Sequence, residues 1–349
     1  MNYTSVFYFL TDIFSIGVWK RSSQLQHPDL KSLARQLPFV ALQSRQDKTV
    51  RNYHNGYLRW RRWASQYEEV QHLPADSYHI ALYLMHLLNS SVSHAPVSLG
   101  FYSISWAHRM AGLSDPTSDL LPRLVREAAN RILGHGDNQK KPISATLIRK
   151  IVDKFVTFTS SLNDLRTAAL CLICFTGFLR FDEASKLRFC DIHFCNSFVK
   201  LFIESSKTDI FREGNWVFIA ALGGNYCPVA ILKKYLSKAG FAGYSDKYVF
   251  RAISRHKNIK KRVLVKSNSQ ISYNTIRSAV LNAFTAIGED RSNFGTHSMR
   301  AGGASAAANG GVSDRLFRKH GRWLSERSKD RYVAEDLANK LFVSRNLGL

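Results

Sequence analysis

The sequence predicts a mainly α-helical protein of two domains, the second of which carries a small antiparallel β-sheet. The chain has 349 residues, which exceeds one typical domain and suits two. Residues 28–133 show the apolar periodicity of helices, and short apolar pieces typical of strands occur between residues 198 and 220. Residues 134–144, GHGDNQKKPIS, are polar and contain glycine, as linkers do. We therefore expect one domain over residues 28–133 and another over residues 145–349.

The first domain is expected to be a bundle of four or five helices. Residues 51–67, RNYHNGYLRWRRWASQY, interleave arginine and aromatic side chains at helical spacing. Residues 76–88, DSYHIALYLMHLL, predict another amphipathic helix, with Asp76 as its N-cap. Residues 1–27 include an apolar stretch that lacks a basic start, contains Asp12 and is too short to span a bilayer. We expect this stretch to be a leader that either forms an extra helix or is unstructured.

The second domain opens with helical patterns between residues 145 and 178 and then changes character. FVKLFIES, residues 198–205, and NWVFIA, residues 215–220, flank a polar turn that contains Gly214. This arrangement predicts a β-hairpin with a long tip. A helical pattern resumes at residues 227–240 and is expected to continue to the end of the chain.

Five cysteines, an odd number without a framework spacing, fit a reducing compartment. Cys171 and Cys174 form a CxxC within the apolar run LCLICF. We interpret them as small apolar residues of a buried helix, in preference to a metal or redox site.

The charge of the chain predicts a polyanionic partner. The 49 Lys and Arg residues outnumber the 26 Asp and Glu residues, which gives a formal net charge of +23. Residues 1–140 carry 15 basic and 10 acidic residues, so the remaining 34 and 16 leave about +5 in the first part and +18 in the second. A generally basic soluble surface and a membrane-surface protein are the alternatives.

The stretch GTHSMRAGGASAAANGG, residues 295–311, places two large polar side chains at the start of a helix of small residues. His297 and Arg300 are three residues apart and share one helical face, so both should point at a common target. The small residues that follow should let the helix pack close to its neighbours.

Other candidate residues are Arg180 in TGFLRFDEASKLRFCDI, Lys207 in SSKTD, Trp323 in HGRW and Tyr332 in KDRYVAED. Each has a structural explanation on its own. Arg180 could pair with Glu183 one turn on, because a charged side chain at an apolar helix end needs a partner or a ligand.

Cleavage of a phosphodiester would need these residue types together. Two arginine forks, Arg180 and Arg300, suit the charge that develops on the nonbridging oxygens. His297 and Lys207 can handle the protons at the nucleophile and the departing 5′ oxygen, and Tyr332 supplies the oxygen nucleophile. The chain contains no carboxylate motif of the DxD or HExxH type, so we expect no metal and no other cofactor in the mechanism.

These residues, in this order, resemble the tyrosine recombinases, also called the phage-integrase family. The segment with Arg180 and Glu183 is similar to the family's first box, and HSMR to its H-x-x-R. Trp323 matches the H/W position and precedes Tyr332 by nine residues, which is the family's spacing. The catalytic part is Cre-like, with similarity to the recombinases of DIRS-type retrotransposons and Cryptons.

The resemblance implies a helical, SAM-like core-binding domain followed by the catalytic domain. It implies a site-specific recombinase or integrase that cleaves and rejoins DNA through a covalent 3′-phosphotyrosine, without metal or ATP. The implied catalytic set is Arg180, Lys207, His297, Arg300, Trp323 and Tyr332, with Glu183 orienting His297 or Arg180. Lys200 in the same hairpin and His320 beside Trp323 remain alternatives for the lysine and for the H/W position.

The resemblance also implies double-stranded DNA as the partner, held by both domains as a clamp, and a homotetramer on paired sites that is a monomer or dimer when free. Candidate DNA contacts are Arg59, Arg61, Arg62, Lys257, Lys260, Lys261 and Arg262, with a solvated surface or a nuclear-import patch as alternatives. Residues 337–349 are expected to form a helix that docks on the next protomer or packs at home. No membrane association is expected, and the compartment is the nucleus in a eukaryote and otherwise the cytoplasm.

Two other functions share parts of this pattern. One is a relative that binds DNA without cutting it, and the other is a type IB topoisomerase-like enzyme that relaxes DNA as a monomer.

Overall fold

The computed structural model describes residues 11–134, 140–204, 213–255 and 262–347. Its contacts divide the chain into two compact units, Met1–Asn138 and Gln139–Leu349. Among the described residues, no helix is long and apolar enough to cross a membrane. The prediction of a mainly helical chain is confirmed.

The first unit is helical in all its described elements. Its α-helices are α1 (Thr11–Phe14), α2 (Pro28–Gln43), α3 (Asp47–Ala64), α4 (Ser77–Ser90), α5 (Ala95–Ala111) and α6 (Leu120–Ile132), and short 3-10 helices cover Gly17–Gln24 and Pro116–Ser118. As expected, Asp76 caps α4 by accepting hydrogen bonds from the backbone N–H groups of Tyr78 and His79.

Helices α3 and α5 form the centre of this unit. Along α3, a stripe of residues at intervals of three and four is buried, and it includes Tyr57 and Trp60. Gly56 lies against Ser103 of α5, where a Cβ atom would come within 2.1 Å of the Ser103 hydroxyl oxygen. The indole Nε1 of Trp60 donates to the carbonyl of His72 at 2.9 Å, so the buried ring keeps its polar partner.

From residue 11 onward, the expected leader is part of the first unit. Ile13 is buried, and the indole Nε1 of Trp19 donates to the carbonyl of Met110 at 2.7 Å. These residues form α1 and the 3-10 helix Gly17–Gln24.

The second unit combines helices with two small antiparallel sheets. Its α-helices are α7 (Ala145–Phe155), α8 (Leu162–Thr176), α9 (Phe181–Lys186), α10 (Pro228–Lys238), α11 (Tyr273–Ala286), α12 (Ser298–Asn309), α13 (Asp314–Gly321), α14 (Glu326–Asp330) and α15 (Leu337–Arg345). Its strands are β1 (Ile192–Phe194), β2 (Phe198–Ile203), β3 (Asn215–Ala220), β4 (Ile253–Arg255) and β5 (Arg262–Leu264).

The predicted hairpin is confirmed as β2 and β3, which pair antiparallel from Phe198 opposite Ala220 to Ile203 opposite Asn215. Strand β1 adds to the outer edge of β2. Alternate side chains of β2 and β3, including Val199, Leu201 and Val217, lie in the core. Residues 205–212 of the tip, including Lys207, lie outside the described residues.

The prediction that helix continues from residue 227 to the end was wrong at β4 and β5. These strands have three residues each, with Ile253 opposite Leu264. A strand of three residues is too short to show a period of two, so its pattern cannot be separated from that of a helix.

Helix α8 is the centre of the second unit and packs against α7, α10, α11 and α12. Cys171 and Cys174 are buried in it, and burial raises the pKa of both thiols, in agreement with their interpretation as core residues. Helix α12 approaches closely because it is built from small residues. A Cβ atom on Gly303 would come within 1.9 Å of the carbonyl oxygen of Phe175.

In the first unit, His108 is fully buried between two backbone groups. Its Nδ1–H donates to the carbonyl of Ile104 at 2.9 Å, and its Nε2 accepts the N–H of Ala75 at 2.9 Å. Acceptance of a hydrogen bond at Nε2 requires the neutral ring, and burial lowers the pKa of His108 below its usual 6.5. As the pH falls below 6.5, the unfolded chain therefore binds a proton that the native protein does not.

We predict that the free energy of unfolding falls as the pH drops through this window, with His108 contributing up to about 1.4 kcal/mol per pH unit. The measurement is urea denaturation of the whole protein at pH 7.5, 6.5 and 5.5. His108→Gln should show a shallower fall, because glutamine does not titrate. Equal slopes for the two proteins would contradict the prediction.

Candidate active site

Arg180 and Glu183 form a local pair at the start of α9. Arg180 is the N-cap residue, and its backbone N–H donates to Glu183 Oε2 at 2.8 Å. Its guanidinium Nη1 donates to Glu183 Oε1 at 2.7 Å. The side chain of Arg180 keeps 13% of its surface exposed, whereas that of Glu183 keeps 1%. Arg180 therefore remains partly accessible while the carboxylate holds it.

Arg300 lies on α12 and is fully buried. Its Nη1 donates to the carbonyl of Phe178, and its Nη2 donates to the carbonyl of Gly321 at 2.6 Å. Nη1 also lies 3.9 Å from Glu183 Oε2. Burial, with a smaller contribution from the nearby positive charge of Arg180, lowers the pKa of Arg300 to about 9. The guanidinium is therefore still charged at neutral pH.

Two aromatic rings lie against the Arg300 guanidinium. Its central carbon is 4.7 Å from the ring centroid of Trp323 and 4.9 Å from that of Tyr332. The two rings are themselves 5.8 Å apart. The exposed His297 precedes α12 as its N-cap residue, and its ring centroid is 6.3 Å from that of Tyr332. The structure thus brings His297, Arg300, Trp323 and Tyr332 together.

A third arginine, Arg322, joins this group. Its side chain is 5% exposed, and its Nη2 donates to Glu183 Oε2 at 2.8 Å. The same nitrogen donates to the carbonyl of Phe178 at 3.0 Å, and Nη1 donates to that of His320 at 2.9 Å. Our interpretation of the sequence used the GRW motif for its tryptophan alone and missed Arg322. Nothing in the residue type or its spacing signals the burial.

Phe178 lets one carbonyl group serve two arginines. It follows the end of α8 and has a φ of 46°, a left-handed conformation that is unusual for a bulky residue. Its carbonyl oxygen accepts from both Arg300 and Arg322. This turn is therefore part of the arrangement of the site.

The three guanidiniums form ion pairs with a single carboxylate among the described residues, that of Glu183. Burial by itself would raise the pKa of Glu183, but Arg322, Arg300 and Arg180 together hold it below its usual value. The group therefore carries two uncompensated positive charges. Within the described structure, the buried Nε atoms of Arg300 and Arg322 and the indole Nε1 of Trp323 also have no hydrogen-bond acceptor. An anion with several oxygens would compensate the charge and supply acceptors.

The structure separates the two candidates for the H/W position. Trp323 contacts Arg300 and Tyr332, whereas His320 donates elsewhere, from Nε2 to the carbonyl of Thr176 at 2.8 Å. Because that carbonyl is an acceptor, Nε2 carries the proton. Burial lowers the pKa of His320.

Lys200 lies in the middle of β2, and its Nζ is 4.6 Å from the ring centroid of Trp216 on β3. The competing lysine, Lys207, lies outside the described residues, so the choice between the two stays a prediction.

The three candidate arginines of α3, Arg59, Arg61 and Arg62, are all exposed but differ in their surroundings. Arg59 and Arg62 are three residues apart and share one helical face. The Nη1 of Arg61 forms an ion pair with Asp12 at 2.7 Å, on another side of the helix. Of the second candidate group, Arg262 is exposed in β5, and Lys257, Lys260 and Lys261 lie outside the described residues.

Residues 145–338, more than half of the 349-residue chain, match the model of the Phage integrase family. The chain belongs to this family. The resemblance to the tyrosine recombinases is thereby confirmed, and the chain is a tyrosine-type site-specific recombinase. The narrower similarity to DIRS-type and Crypton recombinases stays a prediction.

The recombinase is similar to the integrase/recombinase xerD homolog of Selenomonas ruminantium, with 28% identity over 296 residues that cover 84% of this chain and 83% of that protein. Its fold is similar to that of the XerH site-specific recombinase bound to palindromic difH substrate, with a TM-score of 0.62, 14% identity, and 98% and 94% of the two chains covered. It is also similar to that of a lambda integrase dimer bound to a COC′ core site, with a TM-score of 0.56, 16% identity, and 87% and 95% covered.

Removal of the Glu183 charge tests how far the site depends on it. We predict that Glu183→Gln lowers the free energy of unfolding by on the order of 3 kcal/mol, because three buried or partly buried guanidiniums lose their shared carboxylate. Urea denaturation at pH 7.5 measures the change. Asp182→Asn is the matched control, because Asp182 is exposed and pairs only with Lys186 among the ion pairs described. A loss no larger than that of the control would contradict the prediction.

Proposed function

We propose that this recombinase cleaves and rejoins double-stranded DNA at the site formed by Arg180, Arg300, Arg322, Trp323 and Tyr332. The observation that carries the proposal is the excess of two positive charges, with unpaired N–H donors, directly beside a tyrosine. A scissile phosphate has the charge and the oxygens that this site needs.

In the proposed reaction, the Tyr332 hydroxyl oxygen attacks the phosphorus atom and the bond to the 5′ oxygen breaks. The product is a 3′-phosphotyrosine with a free 5′ hydroxyl, and reversal of the step with a second 5′ hydroxyl rejoins the strand. The energy of the broken bond is kept in the phosphotyrosine, so ATP is not needed. His297, which lies near Tyr332, is the proposed acceptor of the tyrosine proton. Lys207 is assigned to the 5′ oxygen by the family resemblance.

Phosphate binding requires a shift of the aromatic residues that cover Arg300. Arg300 has no exposed surface, and the Trp323 and Tyr332 rings lie on its guanidinium. The backbone of Tyr332 makes two hydrogen bonds. Its backbone N–H donates to the carbonyl of Lys329 at 2.9 Å, and its carbonyl accepts from Ser305 at 3.3 Å. We infer that the phosphate replaces the tyrosine ring beside Arg300 while the tyrosine hydroxyl turns toward phosphorus.

The proposed DNA contacts include the face of α3 with Arg59 and Arg62, and the net charge of +23 supports extensive contact with phosphates. The solved structure of lambda integrase as a tetramer bound to a Holliday junction, with a TM-score of 0.55, supports a tetramer as the active assembly. On α15, Leu337 and Phe342 are 70% and 65% exposed, which supports docking of this helix on a neighbouring protomer. The proposed compartment is the nucleus in a eukaryotic host and otherwise the cytoplasm.

We predict that wild-type protein forms a covalent protein–DNA adduct in EDTA and that Tyr332→Phe forms none while it still binds DNA. The substrate is a pool of nicked suicide duplexes with randomised sequence, from which the 5′ hydroxyl fragment is lost after cleavage. Covalent complexes are isolated under denaturing conditions and quantified.

Tyr244→Phe is the matched control, since Tyr244 is 87% exposed and has no assigned role in the site. An adduct that persists in Tyr332→Phe would refute the assignment of the nucleophile. The absence of any adduct with wild-type protein that binds DNA would favour a relative that binds without cutting. Relaxation of supercoiled plasmid by a monomer would favour the topoisomerase-like alternative.

The salt dependence of DNA affinity tests the proposed face of α3. We predict that the double variant Arg59→Ala, Arg62→Ala reduces the slope of log K against log salt by about 1.8, because each phosphate contact contributes about 0.9. Arg61→Ala should leave the slope unchanged, because Arg61 is bound to Asp12. Fluorescence anisotropy with a labelled duplex measures both. An equal effect of Arg61→Ala would contradict this assignment of the face.

A further inference from the structure

We propose that Arg322 is a positioning residue for DNA cleavage, which holds Arg180 and Arg300 in a fixed arrangement through acceptors that it shares with each of them. The inference rests on the proposed function and deepens it, since it assigns Arg322 a positioning role within that site in place of direct contact with the phosphate.

Arg322 has an unusual backbone conformation. Arg322 ends α13 with φ 57° and ψ 40°, the left-handed conformation that glycine adopts without strain and that other residues rarely adopt. A glycine would therefore end the helix better than arginine. The presence of a large side chain in an unfavourable backbone conformation points to a requirement for that side chain.

Both terminal nitrogens of the Arg322 guanidinium donate to groups that belong to the site. Nη2 donates to Glu183 Oε2, the oxygen that also accepts the backbone N–H of Arg180. Nη2 also donates to the carbonyl of Phe178, which accepts from Arg300 as well. Arg322 therefore shares one acceptor with each of the two arginines that are proposed to bind the phosphate.

The Arg322 side chain is also buried. Only 5% of the Arg322 side chain is exposed, and Nη1 is used by the carbonyls of His320 at 2.9 Å and Gly177 at 3.3 Å. Arg322 is thus hydrogen-bonded both to the turn after α8 and to its own chain segment. It fixes Glu183 and Phe178 in place, and through them the two arginines, whose alignment governs the stabilisation of the transition state.

The test uses Arg322→Gly in the full-length protein, because glycine accepts the left-handed backbone while the guanidinium is removed. Single-turnover cleavage of the suicide duplexes at saturating protein gives the rate, and anisotropy gives the DNA affinity. We expect a rate at least about 100-fold lower, with affinity changed less than twofold. Guanidinium ion at about 10–50 mM should restore part of the rate by occupying the vacated space.

Arg315→Ala is the matched control. It removes the same charge from α13 at an exposed position outside the site and should cleave at the wild-type rate. Arg322→Lys provides a second variant that keeps the charge but lacks the planar fork, so it should also cleave slowly. If circular dichroism shows that Arg322→Gly is unfolded, Arg322→Lys is used in its place.

A second measurement separates positioning from general stabilisation. In a double-mutant cycle with Glu183→Gln, the effects on cleavage should be far from additive, because Arg322 acts through Glu183. Wild-type cleavage by a folded Arg322→Gly, or a slowed rate that is additive with Glu183→Gln and insensitive to guanidinium, overturns the inference alone. Failure of wild-type protein to form any adduct overturns the proposed function, and with it this role of Arg322.

Discussion

The site depends on one electrostatic constraint, which is that the Glu183 carboxylate binds three guanidiniums at a place with little solvent. Burial of an unpaired guanidinium is strongly unfavourable, so each arginine must find acceptors in the protein. Glu183 is the ionic partner of all three, and the backbone carbonyls of Phe178, Gly177, His320 and Gly321 accept further hydrogen bonds from Arg300 and Arg322. The Nε atoms of these two arginines keep no acceptor within the described structure. One carboxylate cannot neutralise three cations. The two remaining positive charges are the basis for the anion binding that we propose.

Close approach of three chain segments makes this arrangement possible. The turn after α8, helix α12 and the segment between α13 and Tyr332 meet at the arginines. Glycines permit the contacts, because a Cβ atom on Gly303 would meet the carbonyl of Phe175, and one on Gly321 would lie 1.8 Å from the ring of Trp323. Trp323 can thus fold back over its own helix end and reach Arg300. In this unit, the small residues allow the chain segments to approach closely enough for the large polar side chains to meet.

In the structure, the proposed nucleophile Tyr332 lies against Arg300, one of the residues that are proposed to bind the phosphate. The contact of Tyr332 with Arg300 shields a guanidinium whose pKa burial already lowers to about 9. A phosphate would favour the charged form of Arg300 and compete for the same surface. In the proposed reaction, substrate binding and release of the tyrosine would therefore be coupled, because the phosphate and the tyrosine ring would compete for the same surface of Arg300.

Local contacts were predictable from the sequence, and the long-range ones were not. The amino-acid sequence by itself predicted the β2–β3 hairpin and offered the pairing of Arg180 with Glu183, because alternation along strands and spacing along helices are properties of neighbouring residues. It also pointed to His297, Arg300, Trp323 and Tyr332, four of the residues that the structure brings together. It did not reveal β4 and β5, because strands of three residues show no readable period. The nine-residue spacing favoured Trp323 over His320, and the structure places Trp323 beside Tyr332. Arg322 is the clearest case, since its partner Glu183 is 139 residues away in sequence. Only the tertiary structure decided that pairing, because a buried ion pair exists only where packing brings its two charges together and excludes water.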